Sequence, residues 1–387
     1  MEIVHALFFV SLAMILYAYA GYPLVLWCLS GLMKKGEVAS KPAELPRVSL
    51  LISAYNEEVA IREKLQNSLE LDYPRELLEI IVVSDGSTDS TNAIVNEYTQ
   101  QGVVLKCYEG RIGKTACLNQ AMTAVSGEIV IFSDANSMYP PNVVRALTTP
   151  FVDPKIGFVS GGTSYVADKT GQMGESIGMY ARLERVTKLL ESQIGSCVGA
   201  DGAMFAIRRS LYQPLDRADI NDLVIPLRIV RAGFRGIYTP HASCVEVAAK
   251  ETAREFSRQV RIAARTIRAV MTQRALLNPL AYGFFSFQLA SHKLCKLFVP
   301  FLLLTALVSN VVLIGFSPLY LVMLIIQVLV YATAWATVRR SAGRTSGSLV
   351  TRLIDVVHSF VLVNAAIGVA WIRYWKGESF TTWAPAR

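Results

Sequence analysis

Three apolar runs in the first third of this chain each end in an acidic turn built from small residues. The runs are LLISAYNEE, IIVVSDGSTDS and IVIFSDANS, and they end at Glu58, Ser90 and Ser137. Each run is continuous and rich in β-branched residues, which is typical of a strand buried on both faces of a sheet. Helical stretches separate the runs, so the acidic turns are expected to meet at the edge where parallel strands end and ligands bind.

The chain is too apolar for an ordinary soluble protein of its length. Of its 387 residues 52% are hydrophobic and the mean hydropathy is +0.38, which indicates a membrane portion. Residues 3–33 carry no charge apart from a possible His5, and Lys34 and Lys35 follow. This pattern predicts a transmembrane anchor over 1–35 with a cytoplasmic end, and a cleaved signal peptide is the alternative.

A second apolar region lies near the other end of the chain. Residues 298–316 and 319–338 are each free of charge, so they predict a transmembrane hairpin over 298–338. An arginine-rich loop follows, and the positive-inside rule then places the central domain in the cytoplasm of a protein integral to the inner (plasma) membrane. The six cysteines form no CxxC pair, so neither a zinc site nor a disulfide framework is expected.

Residues 46–248 are predicted to form the body between these segments. Strands are expected near 48–54, 79–84, 103–108 and 128–133, with helices near 57–70, 89–101 and 115–125. This alternation predicts a mostly parallel sheet. After residue 150 the pattern is mixed, with a helix-period segment at 172–193 and a helix after an acidic loop near Leu223.

The segment GRIGKT, from Gly110 to Thr115, is similar to part of a phosphate loop. The first glycine of GxxxxGKT would have to lie at Tyr108, so the spacing fails and an ATPase is not expected. Lys114 is still available to meet a diphosphate.

Five motifs in order, ISAYNEE, VSDGSTDST, GKTACLN, SDANS and INDLVIP, resemble those of the membrane-anchored family 2 glycosyltransferases. That family includes the cellulose, chitin, hyaluronan and poly-N-acetylglucosamine synthases, and the resemblance covers almost the whole chain. It implies an α/β fold of the GT-A type, Rossmann-like with a mostly parallel sheet. Transmembrane helices and amphipathic interfacial helices over 249–297 would flank this cytoplasmic catalytic domain.

The same resemblance implies a nucleotide-sugar donor of the UDP type. The residues expected to bind the nucleotide are Ser53, Tyr55, Glu57, Asp85, Lys114, Asp134 and Arg261. Tyr55 and Glu57 would line the base and ribose, and Asp85 would accept a hydrogen bond from uracil. The alternative for Asp85 is a turn residue that caps the helix near residue 89.

Asp134 and Asn136 fall where the family carries its DxD motif, which implies a site for Mg or Mn against the diphosphate. Because asparagine replaces the second aspartate, one anionic ligand is lost and metal affinity should be weaker. The alternative is an Asx turn before Tyr139.

Asp222 corresponds to the last residue of the family's TED motif, which implies the general base that deprotonates the acceptor. Asn221 cannot take up a proton at neutral pH, and Asp219 is the nearby rival. Either aspartate is also suited to cap the helix that follows. The residues expected around the acceptor are Cys197, Gly199, Asp201 and Asn221.

Five arginines recur at helical spacing, opposite an apolar face that includes Val260 and Ile267, and predict a basic amphipathic helix on the membrane surface. They are Arg254, Arg258, Arg261, Arg265 and Arg268. We expect Arg254, Arg265 and Arg268 to meet anionic headgroups. By resemblance Arg261 is the arginine of the QxxRW motif, whose glutamine and tryptophan are replaced here by Arg258 and Ile262, and this loss argues against a processive enzyme.

The last segment, 339–387, is predicted to hold a basic loop, a helix near 353–374 and a tail. Thr382, Trp383 and Arg387 resemble the gating loop of the synthases, which would require a cytoplasmic tail. The helix is either interfacial or a third span with an external tail.

The function favoured by these patterns is inverting sugar transfer in cell-surface or exopolysaccharide biosynthesis. The donor would be a nucleotide sugar and the acceptor lipid-linked or a polysaccharide, with membrane lipids as the other partner and no nucleic acid. Single addition to a lipid-linked acceptor is the preferred interpretation, and a processive synthase is the alternative. From another class, a non-catalytic nucleotide or polysaccharide receptor would use the same fold.

Overall fold

The structure is a computed structural model that describes residues 1–32, 44–166, 175–247, 252–338, 349–378 and 380. The lysine pair after the N-terminal segment, the basic loop over 339–348 and the proposed gating residues Thr382, Trp383 and Arg387 lie outside the described residues.

One sheet forms the centre of the described body. Its strands are β1 Val48–Ala54, β2 Leu78–Asp85, β3 Val103–Tyr108, β4 Ile129–Asp134, β5 Ile156–Val166, β6 Met204–Arg208 and β7 Arg235–Val247. Their order across the sheet is β3-β2-β1-β4-β6-β5-β7. Strand β6 runs antiparallel to β4 and β5, whereas the other pairs are parallel. The prediction of a mostly parallel sheet is therefore confirmed.

The α-helices, in chain order, surround this sheet and extend beyond it. They are α1 Glu2–Leu16, α2 Tyr22–Leu32, α3 Ile61–Leu69, α4 Thr91–Asn96, α5 Lys114–Ala121, α6 Val143–Thr148, α7 Glu175–Ile194, α8 Asn221–Arg231, α9 Thr252–Thr272, α10 Pro279–Tyr282, α11 Phe284–Leu289, α12 Cys295–Leu313, α13 Pro318–Val338 and α14 Leu349–Trp375. Short π-helical turns at Tyr17–Gly21 and Ala290–Leu294 join α1 to α2 and α11 to α12.

The buried strands carry a separate hydrophobic core on each face of the sheet. All seven residues of β1 are buried. Leu51 packs in the core that includes Leu118 of α5, whereas Leu50 and Ile52 pack in the core that includes Leu65 of α3. Because successive side chains of a strand point to opposite faces, a continuous apolar run is what a sheet covered on both faces requires.

The first predicted helix begins later than expected because the acidic turn before it takes its own conformation. Helix α3 begins at Ile61 instead of residue 57. Asn56 has a φ of 51°, a left-handed conformation that asparagine adopts more readily than most residues. The turn therefore stays outside the helix, and its polar groups are free to contact the next acidic turn.

Among the described residues, three helical segments are long and apolar enough to cross a membrane. They are Glu2–Leu32, Phe284–Leu313 and Leu353–Trp375, and a shorter apolar stretch lies at Pro318–Ala334. The predicted hairpin over 298–338 corresponds to α12 and α13 with a short turn between them. Their length and composition associate the protein with a membrane.

The arginine-rich helix α9 does not lie with an open apolar face. Val260, Ile267 and Val270 are buried in the same core as Ala370 and Trp371 of α14, and α9 packs directly on α14. The helix is amphipathic as predicted, but protein covers its apolar face, and Arg265 and Arg268 contact the sheet domain.

Candidate active site

The first two acidic turns interlock at the carboxyl edge of the sheet. The Thr88 amide donates to Asn56 Oδ1 at 2.8 Å, and the Glu57 amide donates to Thr91 Oγ1 at 2.8 Å. Glu57 is buried, and Ser53 is buried at the end of β1. The predicted nucleotide residues of β1 thus share one rim with the turn after β2.

Asp85 ends β2 and is 2% exposed. Its Oδ1 accepts from the Gly113 amide at 3.0 Å and from Cys117 Sγ at 3.3 Å, while its Oδ2 is buried without a hydrogen-bond partner. Asp89, not Asp85, accepts from the Thr91 amide at the start of α4. The capping alternative therefore belongs to Asp89, and Asp85 offers an unsatisfied acceptor to a ligand N–H.

The GRIGKT segment closes over the same edge. A Cβ at Gly86 would lie 2.5 Å from the Gly110 carbonyl oxygen, so only glycine permits this close approach. The Arg111 guanidinium lies 3.9 Å from the centre of the Tyr55 ring, a cation–π distance. Arg111 was not among the residues predicted from the sequence, although its place inside a basic glycine-rich segment was a usable signal.

Lys114 and Asp134 form an ion pair across the site. Lys114 begins α5 and Asp134 ends β4, and Lys114 Nζ lies 2.5 Å from Asp134 Oδ1. Asn136 follows two residues later, partly exposed. In the described residues no group of three or more His, Cys, Asp or Glu side chains converges on a metal-sized space.

A buried lysine holds the turn that carries Asp134. Lys64 is fully buried, donates to the Ser137 carbonyl at 2.5 Å and lies 3.5 Å over the ring of Tyr139. Burial lowers the pKa of Lys64 to about 7. The sequence analysis missed this residue, although a lysine between the apolar Ile61 and Leu65 of α3 was the available signal.

Glu246 of β7 supports the same turn from the other side. Its Oε1 accepts from Ser137 Oγ at 2.5 Å, and Met138 and Val245 exchange backbone hydrogen bonds at 2.9 Å. Burial, followed by the negative charge of Asp134, raises the pKa of Glu246 to about 7. Nothing local in the sequence linked this glutamate to the site, because the contact joins residues far apart in the chain.

Asp222 lies in the first turn of α8 with one oxygen unsatisfied. Its Oδ1 is buried without a partner, as is Asn221 Nδ2. Burial raises the pKa of Asp222, although the positive charges of Lys114 and Lys188 oppose the shift. A carboxylate with a raised pKa and a free oxygen has the properties of a general base.

The rival, Asp219, is engaged by the fold. Its Oδ2 lies 3.3 Å from Arg228 Nη2 and accepts from the Asp216 amide at 3.0 Å. The geometry therefore favours Asp222 over Asp219 for proton transfer.

Of the four residues expected around the acceptor, two lie next to Asp222, one is bonded to protein donors and one lies in the core. Gly199 and Asn221 lie next to Asp222, since a Cβ at Gly199 would lie 3.6 Å from the Asp222 carbonyl oxygen. Asp201 is held by protein donors, namely Thr163 Oγ1 at 2.7 Å and the Thr163 amide at 3.0 Å.

Cys197, the fourth of these residues, is fully buried in a hydrophobic core. Burial raises the pKa of its thiol to about 12. Its side chain is therefore packed in the core, and its contact with the acceptor stays a prediction. Gly202, which the sequence analysis missed, lies closer, because a Cβ there would be 2.8 Å from Asp222 Oδ2.

Two arginines of α9, Arg265 and Arg268, contact the site domain. Arg261 is partly buried, and burial, followed by the charges of Arg258 and Arg111, lowers its pKa, so these three cations lie close together. Arg265 donates to Thr115 Oγ1 at 3.0 Å and to the carbonyl oxygen of Asp219.

Arg268 lies 3.7 Å from Asp216. The prediction that Arg265 meets lipid headgroups is therefore wrong, because its guanidinium is bonded to the sheet domain. For Arg268, whose side chain is exposed, the contact with headgroups stays a prediction. The side chain of Arg254 lies outside the described residues.

Among solved structures, the fold is similar to that of the mannosyltransferase PcManGT from Pyrobaculum calidifontis, determined in complex with GDP-Man and Mn2+. The TM-score is 0.72 at 24% identity, and the match covers 96% of this chain and 100% of that one. At this identity the likeness establishes the GT-A fold of this chain.

Curated relatives match between about a third and a half of the chain. A probable glycosyltransferase, YdaM, of Bacillus subtilis is 32% identical over 215 residues, which are 51% of this chain and 50% of the relative. The β-monoglucosyldiacylglycerol synthase of Synechocystis is 33% identical over 126 residues, 32% of this chain and 26% of the relative. The poly-β-1,6-N-acetyl-D-glucosamine synthase of Staphylococcus aureus is 26% identical over 209 residues, 52% of this chain and 50% of the relative.

The chain thus spans about half the length of the curated relatives YdaM and the Staphylococcus synthase. Residues 49–215 match the family model described as Glycosyl transferase family 2. These are the residues that carry β1 to β6 and the three acidic turns. The chain therefore carries a domain of glycosyl transferase family 2 over residues 49–215.

Proposed function

We propose that the protein is an inverting glycosyltransferase that moves a sugar from a UDP-type nucleotide sugar to a membrane-associated acceptor. The observation that carries this proposal is that a candidate base, Asp222, and a cation, Lys114, lie at the same edge of the sheet. Asp222 has a raised pKa and a buried, unpaired oxygen, and Lys114 acts on its charge while pairing with Asp134. Sugar transfer needs both a base for the acceptor and cations for the leaving diphosphate.

The proposed reaction is one in-line displacement. The acceptor oxygen forms a bond to the anomeric carbon while Asp222 takes the hydroxyl proton. The bond from that carbon to the nucleoside diphosphate breaks on the opposite face, and the diphosphate leaves with the electron pair. Because attack and departure occur on opposite faces, the anomeric configuration inverts. General-base catalysis of this kind contributes about 100- to 10,000-fold.

Four cations are candidates to neutralise the leaving diphosphate, and two of them already have acidic partners, Asp134 for Lys114 and Glu255 for Arg258. Lys114 begins α5, and Arg261 is close to Arg258 and Arg111, as the effect of their charges on its pKa indicates. Clustered guanidinium groups repel one another, so a bound diphosphate would relieve that repulsion as its own charge is neutralised.

The chemistry of the turn after β4 fits a hard divalent cation such as Mg or Mn. Asp134 already holds a cation, the Lys114 ammonium, and Asn136 adds an amide oxygen two residues later. Asp134 and Asn136 would hold the metal, which supplies further neutralisation of the diphosphate when bound. With one carboxylate instead of two, we expect weak binding in the absence of nucleotide.

The uridine assignment is supported by Asp85. Its buried, unpaired Oδ2 suits the imide N–H of uracil, and the Tyr55 ring under Arg111 provides a stacking surface. Since the solved mannosyltransferase of similar fold was captured with a guanosine donor, the base is best tested with a panel of nucleotide sugars.

Single addition to a lipid-linked acceptor is the preferred mode. Ile262 provides no aromatic ring for a growing polymer where processive relatives carry tryptophan, and three apolar segments flank the domain. The similar curated proteins include both a lipid glucosyltransferase and a polymer synthase, so a processive synthase is the second candidate. Product length on membranes given labelled nucleotide sugar separates the two modes.

The decisive experiment replaces the two rival acids in the full chain, purified in lipid nanodiscs. Asp222→Asn should lower kcat by about 100- to 10,000-fold while UDP affinity is unchanged. Asp219→Asn is the matched control and should retain transfer, because Asp219 is bound to Arg228. Normal turnover by Asp222→Asn would refute the base. A wild-type protein that binds UDP-sugars but neither transfers nor hydrolyses them would be a receptor.

A further inference from the structure

The segment at residues 198–202, called here the base loop, lies directly against Asp222. The Ala200 amide donates to the Asp222 carbonyl oxygen at 2.7 Å. A Cβ on Gly202 would lie 2.8 Å from Asp222 Oδ2, so the loop backbone touches both the main chain and the carboxylate of Asp222. A displacement of this loop would therefore displace the proposed base.

Two side chains of α7 form hydrogen bonds with the backbone of the base loop. Lys188 Nζ donates to the Ala200 carbonyl at 3.1 Å, and Glu191 Oε2 accepts from the Val198 amide at 3.0 Å. The two residues are three positions apart, so they lie on the same face of the helix. One donates to the loop and the other accepts from it, and together they hold the two ends of a three-residue stretch.

Glu191 is also the meeting point of two apolar segments. Its Oε1 accepts from Tyr22 Oη at 2.6 Å and lies 2.8 Å from His292 Nδ1. Tyr22 belongs to the segment Glu2–Leu32 and His292 to Phe284–Leu313. The side chains of all three are buried, and the Glu191 side chain is completely inaccessible.

The network continues on the far side of the histidine. His292 Nε2 lies 2.9 Å from Glu184 Oε1, and the Gln288 side chain donates to the Glu191 carbonyl at 3.2 Å. Burying ionised groups is costly, and apolar substitutes for a buried ion pair are often neutral or stabilising. A contribution to stability therefore does not explain why this network is present. Its effect is to fix the orientation of the Glu191 carboxylate.

We propose that Glu191 is a positioning residue that couples the seating of the two apolar segments on α7 to the placement of Asp222. When Tyr22 and His292 donate to its Oε1, its Oε2 is held against Val198 and the base loop is fixed. When either donor is lost, the carboxylate rotates and the loop loosens under Asp222. This inference rests on the proposed role of Asp222 as general base.

The test compares two tyrosines that join the same pair of apolar segments. Tyr17 Oη lies 2.8 Å from Ser291 Oγ, whereas Tyr22 Oη contacts Glu191. Tyr22→Phe should lower kcat by about 5- to 20-fold with an unchanged donor KM, which corresponds to the loss of one hydrogen bond to a charged group. Tyr17→Phe removes an equivalent hydroxyl outside the network and should stay within about twofold of wild type.

A second readout does not depend on catalysis. Hydrogen exchange on the full chain in nanodiscs should show faster exchange of the base-loop amides in Tyr22→Phe, at least about fivefold, and no change there in Tyr17→Phe. Exchange in α1 and α12 should be the same in both variants, which excludes general unfolding.

Unchanged kcat in Tyr22→Phe, or equal losses in the two variants, overturns the proposal. A wild-type protein without transfer activity would sink the proposed function instead. The exchange measurement would then still decide the coupling, because an unaltered base loop in Tyr22→Phe shows that Glu191 does not transmit the seating of the segments.

Discussion

At the scale of single residues, hydrogen bonding distinguishes two aspartates that lie three positions apart. Asp219 is satisfied by Arg228 and a backbone amide, whereas Asp222 keeps one oxygen free. The same residue type thus serves as a structural anchor in one place and as a candidate base in the other. This division implies opposite effects of mutation on stability.

Asp222→Asn should make the protein more stable at neutral pH while it abolishes transfer. Because burial raises the pKa of Asp222, its favourable contribution is present below the ordinary pKa and is lost as pH rises through the raised value. At pH 7 the buried, ionised carboxylate destabilises the folded state, and asparagine removes its charge. Each 1 kcal/mol gained in the free energy of unfolding should raise Tm by about 2 to 4 °C. Thermal unfolding at pH 7 checks this, and a lower Tm contradicts it.

Lys64→Met should change how stability depends on pH. Burial lowers the pKa of Lys64 from 10.5 to about 7, so between these values the unfolded chain binds more protons and stability rises with pH. The slope has an upper limit of about 1.4 kcal/mol per pH unit. Denaturant unfolding at pH 7, 8 and 9 should show a smaller rise in Lys64→Met than in wild type. Lys155→Met, at an exposed lysine, is the control, and equal slopes in both variants would contradict the prediction.

The candidate site residues that could be predicted from the sequence are those that belong to a local sequence pattern. Asp85 and Asp134 end apolar strands, and Asp222 follows an acidic loop, so their positions follow from the βα alternation. Lys64 and Glu246 were missed because they meet Ser137 across about 70 and 110 residues of chain. Their importance comes from a tertiary contact that no periodicity encodes.

At the scale of elements, helix α9 illustrates what periodicity can and cannot predict. The spacing of its arginines gave the helix and its two faces correctly. It could not give the partner of each face, because the apolar face is covered by α14, about 100 residues later in the chain. An amphipathic helix is the same in sequence whether lipid or protein covers it.

Arg265→Ala should therefore destabilise the domain more than Arg268→Ala. Arg265 satisfies Thr115 Oγ1 and the carbonyls of Ala218 and Asp219, and each buried acceptor left unpaired costs about 1 to 3 kcal/mol. The Arg268 pair with Asp216 spans 3.7 Å with both partners exposed, so its loss should cost about 0 to 1 kcal/mol. Unfolding in detergent measures both losses.

Binding to anionic vesicles provides the matching control for the arginine pair. Arg265→Ala should not weaken binding, since the Arg265 side chain is bonded to Thr115 and Asp219. A selective loss of vesicle binding in Arg268→Ala would restore the membrane-surface interpretation of α9.

At the scale of the whole molecule, the sheet was predictable as far as parallel βαβ units extend. Strands β1 to β4 lie within two residues of their predicted bounds, because each unit is local in sequence. The reversed direction of strand β6, between β4 and β5, depends on long-range pairing and was not predicted. The orientation of the body relative to the membrane likewise depends on the apolar segments together, and it remains our proposal that the body is cytoplasmic.

Cys107 provides a test of that orientation with a native residue. It is exposed on β3, while Cys117, Cys197 and Cys244 are buried. In a variant with Cys28 and Cys295 replaced by serine, a membrane-impermeant maleimide should label Cys107 in inverted membrane vesicles and leave it unlabelled in intact cells, because the reagent reaches one side only. Permeabilised cells are the control for thiol reactivity. Labelling of Cys107 in intact cells would place the sheet domain outside, where no nucleotide-sugar pool exists, and the proposed donor would have to be abandoned.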